Sequence, residues 1–213
     1  MKPYIYPYQY NYIESCVLRL KNVYKSVNDF DTIKIVQINT REDIIATFNE
    51  IDDNILNSLD KMMDIRLSNR QIEFILNTFV NYVIPFEIPS NKKIEKTFRK
   101  VKKIKIPTIN DKSLYTSSFI GWNDISSNRK YIIYYDKNNQ LQGFFGDIST
   151  QIVKGFCSIC NNESNVALFM KKTSSSSDGR YTKKGDYICY DSSRCNKQLT
   201  DLNYFYQFIN KIT

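Results

Sequence analysis

The stretch Lys154-Gly155-Phe156-Cys157-Ser158-Ile159-Cys160 decides how the C-terminal half of this 213-residue chain folds. Two cysteines separated by two residues have the spacing of a zinc knuckle, a tight turn from which both thiolates reach one ion. Two more cysteines follow, Cys189 and Cys195, with five residues between them where two are commoner. We place Cys189 at the end of a strand and Cys195 in the first turn of a helix, whose dipole favours a thiolate. This order of elements predicts a treble-clef-like finger.

The four cysteines allow three other interpretations besides a metal site. A redox Cys-x-x-Cys pair leaves the distant cysteines unexplained, a disulfide is disfavoured in the cytosol, and free buried thiols do not cluster in this way. We therefore predict one structural zinc ion, with no open coordination position for catalysis. Four thiolates leave the site with a formal charge of about −2, which we expect nearby cations to offset: Lys154, Lys184 and Arg194.

The composition is that of an ordinary globular protein, with 42% hydrophobic and 24% charged residues. The chain has no histidine, which excludes a Ser-His or Cys-His catalytic pair, and we expect it not to be an enzyme. No stretch approaches the ~18 apolar residues of a membrane span, and we see no secretory signal. These features predict a cytoplasmic protein without a membrane partner.

The net charge is unevenly distributed along the chain. Residues 1–90 sum to −3 and residues 91–213 to +11, within a total of +8. Such a division suggests two modules, of which the basic one meets an anionic partner. The counts do not distinguish nucleic acid from an acidic protein surface.

Residues 1–85 predict a bundle of about four antiparallel helices. Ile13, Val17, Leu20 and Tyr24 form one apolar stripe, with Cys16 beside it as a buried thiol. We expect a second helix to begin at Thr40. A third contains the apolar run of Ile55, Leu56, Leu59, Met62 and Met63. The residues 68–71 form a capping box at the start of the last helix.

Pro85 and Pro89 mark a boundary, after which residues 86–213 predict an α/β zinc-finger domain that binds the partner. The fold class is therefore α+β. Residues 92–105 suggest a basic helix with a narrow apolar stripe at Ile94, Phe98 and Val101. This helix is either a solvated face or a surface for phosphates or acidic proteins.

Strand patterns begin near residue 115. Residues 117–122 predict one strand, and residues 131–135 and 141–145 predict a hairpin. A second hairpin joins residues 166–170 to residues 186–189 through a serine-rich loop, residues 173–179, which we expect to be exposed and mobile and to which we assign no role. A final helix is predicted over residues 193–211.

The phase of that final helix separates a core face from candidate binding residues. Tyr204 and Phe208 lie away from the predicted core stripe, which comprises Leu199, Leu202, Tyr206, Ile209 and Ile212. Whether the two aromatics bind a partner or pack on the sheet stays open at this point. Phe156 precedes the knuckle, and Lys184 and Tyr187 lie on the strand leading to Cys189. Aromatic residues mixed with lysines suit stacked bases or an acidic protein surface.

Eight strings spread along the chain resemble the FusB/FusC-type fusidic acid resistance proteins, which bind elongation factor G. They are YPYQYNYI, KVKKIKIP, SSFIGWND, SNRKYIIYYD, VKGFCSIC, SNVALFMKK, KKGDYIC and CNKQLTDLN. The resemblance covers nearly the whole chain, from about residue 4 to residue 211. The resemblance implies a helical N-terminal bundle and a C-terminal α/β domain with a four-cysteine zinc finger. It also implies partner-binding residues at Phe156, Lys184, Tyr187 and Phe208.

The implied function is target protection. Fusidic acid traps elongation factor G with GDP on the ribosome, and proteins of this family bind the factor through their C-terminal domain and promote its release. We expect a monomer that binds elongation factor G on or off the ribosome, with direct nucleic-acid contact allowed but not required. The alternatives are a zinc-finger RNA-binding protein that uses the basic domain and a thiol oxidoreductase.

Overall fold

The computed structural model of the protein describes residues 3–48, 50–101, 103–109, 111–175 and 181–213. The chain divides into two compact units, Met1–Ile84 and Pro85–Thr213. Among the described residues no helix is both long enough and apolar enough to cross a membrane. The fold class is α+β, as predicted, with helices first and an antiparallel sheet after them.

The first unit consists of four helices, α1 (Pro7–Ser26), α2 (Phe30–Ile45), α3 (Asp53–Met62) and α4 (Asn69–Phe79), followed by a 3₁₀ turn at Val80–Tyr82. Its core comprises Ile13, Val17, Leu20, Ile44, Ile55, Leu59, Met62, Ile72, Leu76 and Phe79. The predicted capping box is confirmed, because the Gln71 N–H donates to Ser68 Oγ at 3.4 Å and the Ser68 N–H donates to Gln71 Oε1 at 2.9 Å.

The prediction that the second helix begins at Thr40 was wrong. Helix α2 begins ten residues earlier, where the Asp29 carboxylate caps it by accepting a hydrogen bond of 2.7 Å from the Thr32 N–H. Thr40 lies inside the helix. Only Ile33 and Ile44 of α2 are buried, while Ile35 and Ile38 are exposed. The helix therefore lacks a continuous apolar stripe from which its start could be predicted.

The second unit contains a six-stranded antiparallel sheet. Its strands are β1 (Ile120–Asp124), β2 (Arg129–Tyr135), β3 (Leu141–Ile148), β4 (Val153–Phe156), β5 (Glu163–Ser175) and β6 (Tyr181–Cys189). The order is β1-β2-β3-β5-β4, and β6 pairs with β5. Both predicted hairpins are confirmed, β2 with β3 and β5 with β6. Asn139 adopts φ 56° in the β2–β3 turn, a left-handed conformation that asparagine tolerates.

Two predicted boundaries in this sheet differ from the structure. The first strand begins at Ile120, three residues after the predicted start, and a 3₁₀ turn at Asp111–Thr116 precedes it. Strand β5 continues through Thr173 to Ser175, so the predicted loop does not begin at residue 173. Residues 176–179 of that loop lie outside the described residues.

Helices cover the sheet, and two hydrophobic clusters result. One cluster joins the aromatic residues Phe119, Phe144 and Phe169 of the sheet region to Phe205 and Phe208. The other contains Ile94, Phe98, Trp122, Tyr131 and Ile133. The first cluster also contains all four candidate metal ligands, so the finger shares the core of the sheet.

The basic segment forms a shorter helix than predicted. Helix α5 (Asn91–Thr97) has seven residues and ends where Phe98 leaves the helical region, with φ −107° and ψ 42°. Ile94 and Phe98 are buried, and Val101 packs against the same cluster from the segment beyond the helix. The apolar side chains of the segment therefore reach the core without one continuous helix.

The predicted final helix is two helices, α6 (Ser192–Gln198) and α7 (Leu202–Ile212). The backbone is extended at Leu199, with ψ 105°. Asp201 then caps α7, because its carboxylate accepts a hydrogen bond of 2.8 Å from the Asn203 N–H. An aspartate at this position starts a new helix with its own phase, and that phase decides which aromatic residues are buried.

Candidate metal centre and binding surface

The four cysteine sulfurs meet at one point between three elements. Cys157 and Cys160 lie in the turn between β4 and β5, Cys189 ends β6, and Cys195 lies in α6. All four are buried, and their Sγ atoms lie within 4.8 Å of one another. The Cys157 and Cys195 sulfurs are 3.7 Å apart, and the Cys160 and Cys189 sulfurs are also 3.7 Å apart. The spacing thus brings together every cysteine predicted as a ligand.

This sulfur cluster fits a four-coordinate metal ion. A tetrahedron with metal–sulfur bonds of about 2.3 Å has sulfur–sulfur edges of about 3.8 Å, close to the two observed separations. A disulfide requires about 2.05 Å between sulfurs, and all five cysteines of the chain are free thiols. The arrangement can therefore hold a metal ion with sulfur at all four positions and none left open.

The backbone around the turn prepares Cys157 to be a thiolate. The N–H groups of Ile159 and Cys189 donate to Cys157 Sγ at 3.3 and 3.2 Å. The pKa of the Cys157 thiol lies far below its usual range because the sulfur accepts hydrogen bonds, first from Cys160 and then from Cys189 and Cys195. A sulfur that already carries negative charge is the form that binds a metal ion.

Lys130 supplies a buried cation beside the cluster, and sequence reasoning missed it. Its side chain is 2% exposed. The Nζ donates to the Tyr190 carbonyl oxygen at 2.8 Å and to Asn123 Oδ1 at 3.0 Å. Burial lowers the pKa of Lys130 to about 8, while the nearby thiolates, Cys195 and Cys189 first among them, act in the opposite direction.

The cations predicted to offset the cluster are placed differently. Lys154, Lys184 and Arg194 are all exposed to solvent, where water screens their charge. Lys130 lies in β2, between strands that the sequence identified only by their apolar residues. A lysine immediately before the apolar run Tyr131-Ile132-Ile133 was the available signal for a buried cation.

Three of the four predicted partner-binding side chains are exposed and one is not. Phe156 at the end of β4 is 71% exposed, Tyr187 is 44% exposed, and Lys184 is exposed. Phe208 is 2% exposed, with its ring centroid 5.9 Å from that of Phe169 and 6.0 Å from that of Phe144. The expectation that Phe208 lies off the core face was wrong, because α7 starts at Leu202 and buries Phe205, Phe208 and Ile212.

The strand register also separates Lys184 from Tyr187. The β5–β6 register is unbroken between the pairs Lys171 with Lys184 and Leu168 with Tyr187. Residues three apart in a strand point to opposite faces, so the Lys184 and Tyr187 side chains do not share one face of the sheet. The Ser158 N–H donates to the Tyr187 carbonyl oxygen at 2.9 Å, which places the knuckle, two residues from Phe156, against β6 at Tyr187.

Similarity to known proteins identifies the family to which this chain belongs. The profile of a family described as elongation factor G-binding protein, N-terminal, matches residues 4–87. A solved structure described as the fusidic acid resistance protein FusC is 43% identical, with a TM-score of 0.91 over 98% of this chain and 97% of that one. The chain belongs to the FusB/FusC-type family. No curated protein sequence matches the chain at a significant level.

The two matches cover different parts of this FusB/FusC-type protein. The family profile spans the helices of the first unit, Met1–Ile84. The match to FusC extends through the second unit as well, and thus includes the sheet and the four cysteines. The family resemblance inferred from the eight sequence strings is therefore confirmed.

Proposed function

We propose that this protein confers resistance to fusidic acid by binding elongation factor G. The observation that carries the proposal is the 43% identity to FusC across nearly the whole of both chains. The family profile over residues 4–87 supports the same partner independently. In this proposal the factor is bound on or off the ribosome, in the cytoplasm, by a monomer.

The mechanism we propose is target protection. Binding to elongation factor G favours the conformation in which the factor leaves the drug-stalled ribosome, and a binder shifts such an equilibrium only through its differential affinity for the two conformations. The drug is neither destroyed nor exported. The closed four-cysteine site and the absence of histidine support a role in binding rather than catalysis.

The domain that contacts the factor is, in this proposal, residues 86–213, with residues 1–85 as a separate helical bundle. The metal we propose is one zinc ion, since a tetrahedral set of four thiolates suits zinc, with iron as the other common occupant. When bound, the ion holds the knuckle, the end of β6 and α6 together. Elemental analysis of the purified protein distinguishes the two metals.

The contact surface is best assigned to the side chains that flank the knuckle. Phe156 and Tyr187 are exposed aromatic residues on either side of it, and exposed aromatic anchors are common at the centres of protein interfaces. Lys184 adds a positive charge on the other face of β6. Phe208 contributes indirectly, because its ring packs beneath β5 and keeps the hairpin in place.

A translation assay inhibited by fusidic acid tests this proposal. The purified protein should restore synthesis, and Phe156→Ala should remove most of the rescue while leaving metal content unchanged. Phe74→Ala is the matched control, since Phe74 is equally exposed at 73% but lies in the first unit. A protein that retains elongation factor G in a pull-down yet gives no rescue would contradict target protection, and no retention would contradict the partner.

A further inference from the structure

A basic cleft in the second unit lies apart from the four cysteines. The cleft has a volume of about 810 Å³. Its first wall comes from α5 and the turn that follows, with Lys96, Arg99 and Lys100. Its second wall comes from the sheet, with Arg129, Lys171, Lys172 and Lys183. Asp147 is the one carboxylate among the described lining residues, so the lining has seven cations and one anion.

The sheet places like charges opposite each other at this cleft, an arrangement that paired strands usually avoid. The register pairs Lys172 directly with Lys183, and both residues line the cleft. Like charges directly opposite each other on paired strands are destabilising. Lys183 is relieved by Asp147, whose carboxylate lies 2.6 Å from its ammonium. Lys172 has no such carboxylate among the ion pairs of the described residues. An anionic ligand would neutralise the remaining positive charge at this position.

Tyr181 gives the cleft an aromatic platform. Its ring is 57% exposed. The Lys172 ammonium lies 4.8 Å from the ring centroid and the Lys183 ammonium lies 5.6 Å from it. A second cation–aromatic pair lies deeper, where the Arg129 guanidinium is 5.5 Å from the Phe145 ring centroid. An exposed ring with two ammonium groups close to it can stack with a base while the ammonium groups contact the flanking phosphates.

We propose that this cleft binds a segment of single-stranded nucleic acid. An acidic protein surface would also meet the charge, but protein interfaces depend on apolar anchors seated in pockets. Of the large apolar side chains that line the cleft, Phe98 and Phe144 are buried, and Phe145 and Met170 are half-buried. What remains exposed is a single tyrosine ring among cations, the combination typical of strands bound through their backbone and bases. The inference does not depend on the proposed binding of elongation factor G.

Fluorescence anisotropy with a labelled RNA of about twelve nucleotides and mixed sequence tests the proposal. The wild-type protein should bind with an affinity whose logarithm falls linearly with the logarithm of salt concentration. Lys172→Glu should weaken binding about tenfold near 0.1 M salt and reduce the slope by at least about 0.7. Tyr181→Ala should weaken binding roughly 5- to 150-fold through lost stacking.

Matched variants control for total charge and aromatic content. Lys34→Glu changes the net charge equally, and Tyr6→Ala removes a tyrosine that is 53% exposed, both in the first unit. Both should bind RNA like the wild type. No RNA binding by the wild type, or equal weakening by Lys34→Glu, would overturn the proposal. So would full binding by Tyr181→Ala together with displacement of the RNA by polyglutamate of equal charge, which would assign the cleft to acidic polypeptides.

Discussion

The Lys130 ammonium donates a hydrogen bond of 2.8 Å to the carbonyl oxygen of Tyr190, the residue that follows the metal ligand candidate Cys189. This hydrogen bond holds a buried ammonium group at the residue next to Cys189 in the chain. The four-cysteine cluster carries excess negative charge when a metal ion is bound. Groups that contact metal ligands without binding the metal themselves orient those ligands and tune the metal affinity. The link between β2 and the end of β6 therefore belongs to the candidate metal centre, although Lys130 is not among its four candidate ligands.

Replacing Lys130 with methionine should weaken the metal site. The change leaves the Tyr190 carbonyl without its ammonium partner and the thiolate cluster without its nearest buried cation. We expect metal affinity to fall about 10- to 100-fold and stability to fall by about 1–3 kcal/mol. Competition with a chromophoric chelator measures the affinity, and the exposed Lys154→Met is the control. Equal affinities for the two variants would show that Lys130 does not support the site.

Replacing Cys160 with serine should release the metal and loosen the finger. Three thiolates bind a structural ion far more weakly than four, and metal binding supplies folding free energy to such sites. The control is Cys16→Ser, because Cys16 is equally buried but lies in α1, where its sulfur accepts a hydrogen bond of 3.0 Å from Arg19. Cys16→Ser should retain one metal equivalent per chain. Loss of metal from both variants would point to general unfolding rather than to the cluster.

Phe208→Ala should be strongly destabilising. The side chain is buried between Phe144 and Phe169, and truncating a buried phenylalanine costs about 3–5 kcal/mol. Phe156→Ala, which removes a largely exposed ring, should change stability by less than about 0.5 kcal/mol. Urea unfolding of both variants checks the contrast. If Phe208→Ala is as stable as Phe156→Ala, the packing of α7 on the sheet is not as described.

Acid should weaken the attachment of α7 to β6. Burial raises the pKa of the Asp186 carboxyl, but hydrogen bonds from Lys211, Ser158 and the Tyr187 N–H outweigh it, so the pKa lies below its ordinary value. A carboxyl with a depressed pKa in the folded state stabilises fully above its unfolded pKa of about 3.9 and loses that contribution as the pH falls through the folded pKa.

Asp186→Asn tests this pH dependence. The variant should be less stable than the wild type at pH 7 by under about 1 kcal/mol, because the ion pair is partly exposed. The difference should shrink as the pH falls below about 4. In a Lys211→Met background the same substitution should have a smaller effect. A difference that stays constant from neutral to acidic pH would exclude the ionised carboxylate as its cause.

Sequence patterns predicted the structure correctly where a feature depends on residues that are close together in the chain. The capping box at Ser68 and Gln71 and the apolar stripe of α1 depend on residues close together in the chain, and each of the two hairpins pairs strands that are consecutive in sequence. The four cysteines were predictable because thiol clustering has few explanations in a chain of this kind. The start of α2 was missed because that helix buries too few residues to show a stripe.

The sequence alone determined that the chain has a helical half and a sheet half, with four cysteines converging in the second, since periodicity and ligand spacing are properties of the chain itself. Only the tertiary structure decided that Lys130 is buried beside the cysteines, that Phe208 is core and that Lys184 and Tyr187 face opposite ways. These outcomes depend on where α7 begins and on how strands distant in sequence pair. The basic cleft also depends on tertiary structure. The cations of α5 and of the β5–β6 hairpin come together only because both elements contact β3.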